Sequence, residues 1–189
     1  GVDIDQPSIA EANENFHRSR WCDRLKAIHT DINTFSALNH AQYDFIISNP
    51  PFFTSVFKTK EARRNLARHT DSLSFEQLAQ AVKKLLKAQG RFALVLPEKQ
   101  FKSWSKAATA AGLFLIKIQE IIPVEGKAAN RLNMEYVPYK KQALLHSTFT
   151  IRQSDGNFTS EYIKQLSDFY IGLNAENTMF TGLKSIKTP

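Results

Sequence analysis

Tyr43-Asp44-Phe45-Ile46-Ile47-Ser48-Asn49-Pro50-Pro51-Phe52 is the stretch on which the reading of the fold turns. Its first six residues, rich in β-branched and aromatic side chains, read as a buried strand. Asn49-Pro50-Pro51 stops it, because proline has no N–H for a sheet ladder and the chain must leave the sheet. Upstream, residues 1–5 alternate as a short strand. Asp5 and Ser8 are helix caps, and Ser8 with Glu11 has capping-box spacing. Ile9, Ala12 and Phe16 carry that helix to about Ser19. Residues 25–29 read as a second short strand with Asp31 just past its end.

Downstream, Ser74 and Gln77 open a helix whose apolar face is Phe75, Leu78, Val82, Leu85 and Leu86, and Gly90 is its expected stop. Residues 91–96 read as a buried strand and 98–111 as a helix stopped by Gly112. Strands are expected near 113–122, 132–137 and 144–152, then a turn at Asp155-Gly156 and a last helix marked by Tyr162, Leu166, Phe169 and Tyr170. Strands alternating with helices predict an α/β domain with a mostly parallel sheet flanked by helices. Ligands of such sheets sit outside the carboxyl ends of the strands. Asp3 with Asp5, Asp31, and residues 49–52 each end a strand, so they are expected along one rim.

The composition is that of a folded chain. Its 189 residues are 42% hydrophobic and 11% aromatic, enough for one buried core and too apolar for a disordered chain. No apolar run reaches the length of a membrane span, and the first residues lack signal-peptide character. A single cysteine, Cys22, excludes an internal disulfide and a cysteine-rich zinc site, and fits a reducing cytoplasm. Following Trp21 at a helix end, it reads as a packing residue. The histidines at 17, 29, 40, 69 and 146 have no metal-ligand spacing, so no metal is expected. Lys and Arg number 25 against 18 Asp and Glu, a net charge of +7, which favours polyanions such as nucleic acid.

Asn49-Pro50-Pro51-Phe52 carries the chemistry. Two prolines fix the backbone and leave the Asn49 side-chain oxygen and the Pro50 carbonyl as acceptors, while Phe52 offers a ring for stacking. This is a socket for a planar group bearing NH2, such as a nucleobase or an amide. Accepting both N–H bonds favours a more tetrahedral nitrogen and turns its lone pair towards an electrophile. A strand-ending Pro-Pro turn packed by a core Phe is the competing reading. Position after a buried strand, with acidic strand ends upstream, favours the socket.

This motif resembles the target-amine motif of class I amino-methyltransferases that use S-adenosylmethionine. Gly1-Val2-Asp3-Ile4-Asp5 resembles their second-strand motif and Thr30-Asp31-Ile32 their third. The resemblance implies a Rossmann-like domain over residues 1–173, with 174–189 as a tail. It further implies that Asp3 holds the donor's ribose hydroxyls and Asp31 its adenine amine, with Ile4, Ile32 and Asn49 completing the donor site. Arg64, Ala67-Arg68-His69-Thr70, Leu94-Val95-Leu96-Pro97-Glu98, Thr150-Ile151-Arg152 and Asn157-Phe158-Thr159 narrow the likeness to bacterial tRNA adenine-N6 methyltransferases. These act on the adenine 3′ of the anticodon in a valine tRNA, by in-line attack of N6 on the donor's methyl.

That family's first strand and glycine-rich loop, which cradle the donor's methionine part, are expected before Gly1, and the 7 glycines include no G-x-G cluster. The chain is therefore expected to be the C-terminal portion of a longer enzyme, with donor binding impaired as it stands. Relatives acting on rRNA guanine N2 or a protein glutamine amide share the socket, and a non-catalytic RNA-binding fragment is the alternative of another class. Lys60, Arg64 and Arg68 would form a basic stripe at i, i+4, i+8 beside the socket, with Lys127 and Arg131 as a second phosphate contact. Lys83, Lys84 and Lys87 read as solubilising charges on a polar helix face.

Overall fold

The computed structural model describes residues 1–38, 42–50, 73–140, 143–170 and 173. Near the amino terminus, β1 (Val2–Asp3) and β2 (Ile28–His29) pair in parallel, Val2 with Ile28 and Asp3 with His29. Between them runs α1 (Gln6–Arg18), capped by Asp5, whose Oδ2 accepts from the Ser8 N–H at 2.9 Å and the Ser8 hydroxyl at 2.6 Å. Capping by Asp5 holds, but the Ser8–Glu11 box does not form. Pro7 has no N–H to leave unsatisfied in a first turn, so the helix begins earlier and Ser8 lies inside it.

Two residues per strand make little ladder of their own. Asn13 adds to it from α1: its side-chain nitrogen donates to the Ala27 carbonyl at 3.0 Å and its oxygen accepts the Ala27 N–H at 3.1 Å. The side-chain amide thus stands in for a neighbouring strand at the entrance to β2.

The larger sheet has the order β3-β4-β6-β5-β7, built from β3 (Tyr43–Ser48), β4 (Leu86–Pro97), β5 (Phe114–Val124), β6 (Arg131–Val137) and β7 (Leu145–Arg152). β3 pairs with β4 and β5 with β7 in parallel, whereas β6 runs antiparallel to both β4 and β5. Four strands therefore point one way and β6 alone points back. The sheet is mixed rather than purely parallel because residues 125–130 are too short for a crossover and must return the chain as a hairpin. The carboxyl ends of β3, β4, β5 and β7 share one rim.

α3 (Phe75–Leu85) and α4 (Phe101–Ala110) cover one face of this sheet. The Ser74 box forms as the spacing predicts: Ser74 Oγ accepts the Gln77 N–H at 3.2 Å, and Gln77 Oε1 accepts the Ser74 N–H at 2.8 Å. Leu78, Val82 and Leu85 are buried. Leu78 and Val82 meet a ladder in which Phe92, Leu94 and Leu96 of β4 stand beside Tyr136, Met134 and Leu132 of β6. Trp104 of α4 is fully buried at the centre, its ring centroid 5.6 Å from Phe75, 5.9 Å from Phe92 and 5.8 Å from Tyr136. The last α-helix described, α5 (Ser160–Leu166), packs on β7, with Tyr162 stacked on Phe158 at 4.6 Å.

Three expectations change. α3 ends at Leu85, five residues before Gly90, and β4 starts at once. Gly90 is needed for space: a Cβ there would lie 2.8 Å from the Tyr43 carbonyl oxygen of β3 and 2.9 Å from Leu86 Cδ2. β3 is not buried on both faces. Ile46 packs into the core, while alternation turns Phe45 and Ile47 to the other face, where they are 49% and 74% exposed. Lys83 and Lys87 are not merely solubilising, since Lys83 Nζ donates to the Pro138 carbonyl at 2.8 Å and Lys87 pairs with Asp44 at 2.8 Å.

Gly90→Ala is expected to destabilise the fold by about 1–3 kcal/mol, because the extra carbon presses on backbone that cannot yield without shifting β3 from β4. Urea unfolding followed by tryptophan emission would measure this, Trp104 lying in the core that the two strands frame.

Candidate active site

Asp3 closes β1 and Asp31 follows β2, so parallel pairing sets the two acids at adjacent strand ends. The Thr30 N–H donates to the Asp3 carbonyl at 3.0 Å, fixing the two exits together. Asp3 Oδ1 accepts the Asp5 N–H at 2.8 Å, which tightens the turn into α1. Asp31 Oδ1 accepts both the Asn33 and the Thr34 N–H at 2.9 Å and so caps α2 (Ile32–Leu38). Ile4 is exposed beside Asp3, and half-buried Ile32 opens α2. His29 Nε2 lies 3.0 Å from the Ile4 carbonyl and holds the loop between the acids, a role no spacing signal pointed to.

Asn49 emerges exposed from the carboxyl end of β3, with Pro50 buried behind it. Register places Ser48 beside Leu94, Leu94 beside Met134, and Pro97 beside Arg131, so Asn49 and Arg131 belong to the same rim of the larger sheet. Exposed Lys127 sits in the β5–β6 hairpin on that rim, its N–H bonded to the Val124 carbonyl at 3.0 Å. Further along, Glu125, Thr150, Gln153, Thr159 and Ser160 line an open polar hollow of about 310 Å³. The acids lie in the smaller sheet and Asn49 in the larger one. α2 lies between the two, packed against both β1 and α3. Pro51, Phe52, Lys60, Arg64 and Arg68 lie outside the described residues. Cys22, expected to pack, is exposed.

The acids present at β1 and β2 suit the hydroxyls and amine of an adenosine group, and Ile4 and Ile32 offer apolar surface for its ring. No G-x-G cradle for a methionine carboxylate occurs in the sequence.

Comparison with known proteins shows the family. Residues 1–112 match the UPF0020 family model, described as RMKL-like, methyltransferase domain. Over 170 residues, 90% of this chain and 71% of the relative, the sequence is 37% identical to the tRNA1(Val) (adenine(37)-N6)-methyltransferase of Trichodesmium erythraeum. The chain belongs to that methyltransferase family. Enzymes of the same name from Shewanella baltica and Tolumonas auensis are each 33% identical over 174 residues, covering 73% and 72% of their lengths. Among solved structures, a predicted O-methyltransferase of Agrobacterium tumefaciens, Atu636, superposes with a TM-score of 0.65 at 13% identity, over 88% of this chain and 75% of its own. A Listeria monocytogenes protein assigned to the class I S-adenosylmethionine-dependent methyltransferases gives 0.52 at 17%, over 78% and 48%. The fold is thus that of class I methyltransferases, as expected from the sequence.

In this family member, helix caps set the charge of the acidic rim. Bonds from Ser8 hold the Asp5 carboxyl below its ordinary range, and bonds from Thr34 do the same for Asp31. A carboxyl depressed in the folded state stabilises the fold above its unfolded pKa and loses that contribution as pH falls through the folded value. Acidification below about pH 4 should therefore loosen α1 and α2. Melting temperature recorded from about pH 6 to 2 should fall less steeply in Asp5→Asn/Asp31→Asn, since Asn caps helices as well as Asp without titrating.

Proposed function

We propose that the protein transfers a methyl group from S-adenosylmethionine to N6 of an adenine in tRNA, at the position the names of its relatives give. The observation that carries this reading is Asn49, exposed at the carboxyl end of β3 with a buried proline behind it. Asn49 Oδ1 and the Pro50 carbonyl accept the two N6 hydrogens, which orients the lone pair, and Phe52 stacks on the base. Asp3 takes the donor's ribose hydroxyls through Oδ2, the oxygen its turn leaves unused, and Asp31 takes the adenine amine. Ile4 and Ile32 border the ring. The donor supplies an electrophilic methyl group, and no metal is required for the transfer.

Lys60, Arg64 and Arg68, following the socket in sequence, and Lys127 and Arg131 at the β5–β6 hairpin contact phosphates around the extruded base. Flipping a base out of a loop is the cheap case, because little stacking is lost. A cytoplasmic location follows from that substrate, and among the described residues no helix is long and apolar enough to cross a membrane.

Asn49→Ala should lower the methylation rate about a hundredfold or more while leaving the fold intact, as expected for losing a preorganised polar contact to the reacting group. Nucleoside analysis of the product tests the substrate: methylguanine or methylglutamine in place of N6-methyladenine would overturn the assignment. Asp31→Asn separates capping from donor binding. It should keep the melting temperature and weaken donor affinity in calorimetry, and unchanged affinity would remove Asp31 from the donor site.

A further inference from the structure

α1 ends in a knuckle at residues 19–24 that the methyl-transfer site does not use. Ser19 caps the helix, its N–H bonded to the Phe16 carbonyl, and its hydroxyl donates to the same oxygen at 2.8 Å. The Trp21 N–H returns to Ser19 Oγ at 3.2 Å and the Arg24 N–H to the Trp21 carbonyl at 3.1 Å, so three backbone N–H bonds brace the turn. On this fixed turn the Trp21 indole is 41% exposed. The Arg20 guanidinium lies 4.4 Å from its ring centroid and that of Arg24 lies 5.9 Å away.

Arg18 is engaged by Glu14 one turn earlier. Arg20, Arg24 and Lys26 stand against the single acid Asp23, and none of the three forms an ion pair among the described residues. A guanidinium laid on an indole keeps its in-plane N–H donors outward and loses little freedom on binding, the arrangement that suits bidentate contact with phosphate.

We infer that the Arg20–Trp21–Arg24 knuckle is a second RNA contact, gripping the sugar-phosphate backbone of the tRNA away from the target adenine. The inference rests on the tRNA reading above. α1 starts beside Asp3 at the acidic rim and runs 13 residues, or about 20 Å, before the knuckle, so the contact lies at the far end of the helix from the transferred methyl. Charge selects a polyanion, and the paired cations with one flat ring match a nucleic-acid backbone with an adjoining base. An anionic membrane would need a broader apolar face than one indole provides.

The two tryptophans make the test direct, because Trp104 is fully buried and Trp21 is the exposed emitter. Saturating valine tRNA should shield Trp21 from acrylamide quenching, and vesicles of phosphatidylserine and phosphatidylcholine should not. Arg20→Ala/Arg24→Ala should raise KM for tRNA about tenfold, leave kcat within about twofold, and flatten the salt dependence of binding by about one to two phosphate contacts. Trp21→Phe should retain most of the affinity and Trp21→Ala should not. If tRNA is methylated while Trp21 stays open to quencher, or the double variant keeps its KM and salt slope, the knuckle inference falls and the catalytic reading stands. Shielding by vesicles alone overturns it in favour of a membrane contact. Failure of the unsubstituted protein to bind tRNA removes both readings together.

Discussion

The indole of Trp104 is the contact that the larger sheet and its helices have in common. It belongs to α4, meets Phe75 at the start of α3, and rests on Phe92 of β4 and Tyr136 of β6. Aromatic pairs at such spacings contribute about 0.5–1.5 kcal/mol each beyond burial. The position of β4 follows from this packing, and β3, hydrogen-bonded to β4, is placed by it in turn. Asn49 stands where it does because a residue on another helix is packed tightly.

Much of this was legible in the chain itself. β3 runs over the six residues that its β-branched pattern marks, ending where the prolines forbid a ladder. The Ser74–Gln77 box and the stop at Gly112, which adopts a φ of 77°, follow from local chemistry that no distant contact opposes. Gly90 was misleading because a glycine signals either a turn or a close approach, and only the neighbouring Tyr43 carbonyl decides between them. The reversal of β6 was equally hidden, since strand direction depends on how short connections fold back. Exposure of Phe45 and Ile47 is a property of what lies across the sheet, which periodicity does not encode.

The candidate site divides along the same line. The acids at strand ends and the Asn-Pro-Pro turn were visible as residue types at expected places, and Asp3 and Asp31 do close adjacent parallel strands. Positioning groups were not visible. Asn13 and His29 act through the Ala27 backbone and the Ile4 carbonyl, and neither contact leaves a spacing signature. Trp21 gave only a charge-rich neighbourhood in sequence, and its meaning came from seeing the ring held open under two guanidiniums.

The Asp31 carboxylate couples two equilibria that look separate. One of its oxygens tethers the first turn of α2, and α2 leans on α3. Under the donor role proposed for Asp31, anything that orders this carboxylate would favour the closed helix start as well, and donor occupancy and rigidity of α2 would rise together by mass action. Cofactor loading would then also be a stiffening event, felt along the helix layer that steadies the sheet from which Asn49 projects.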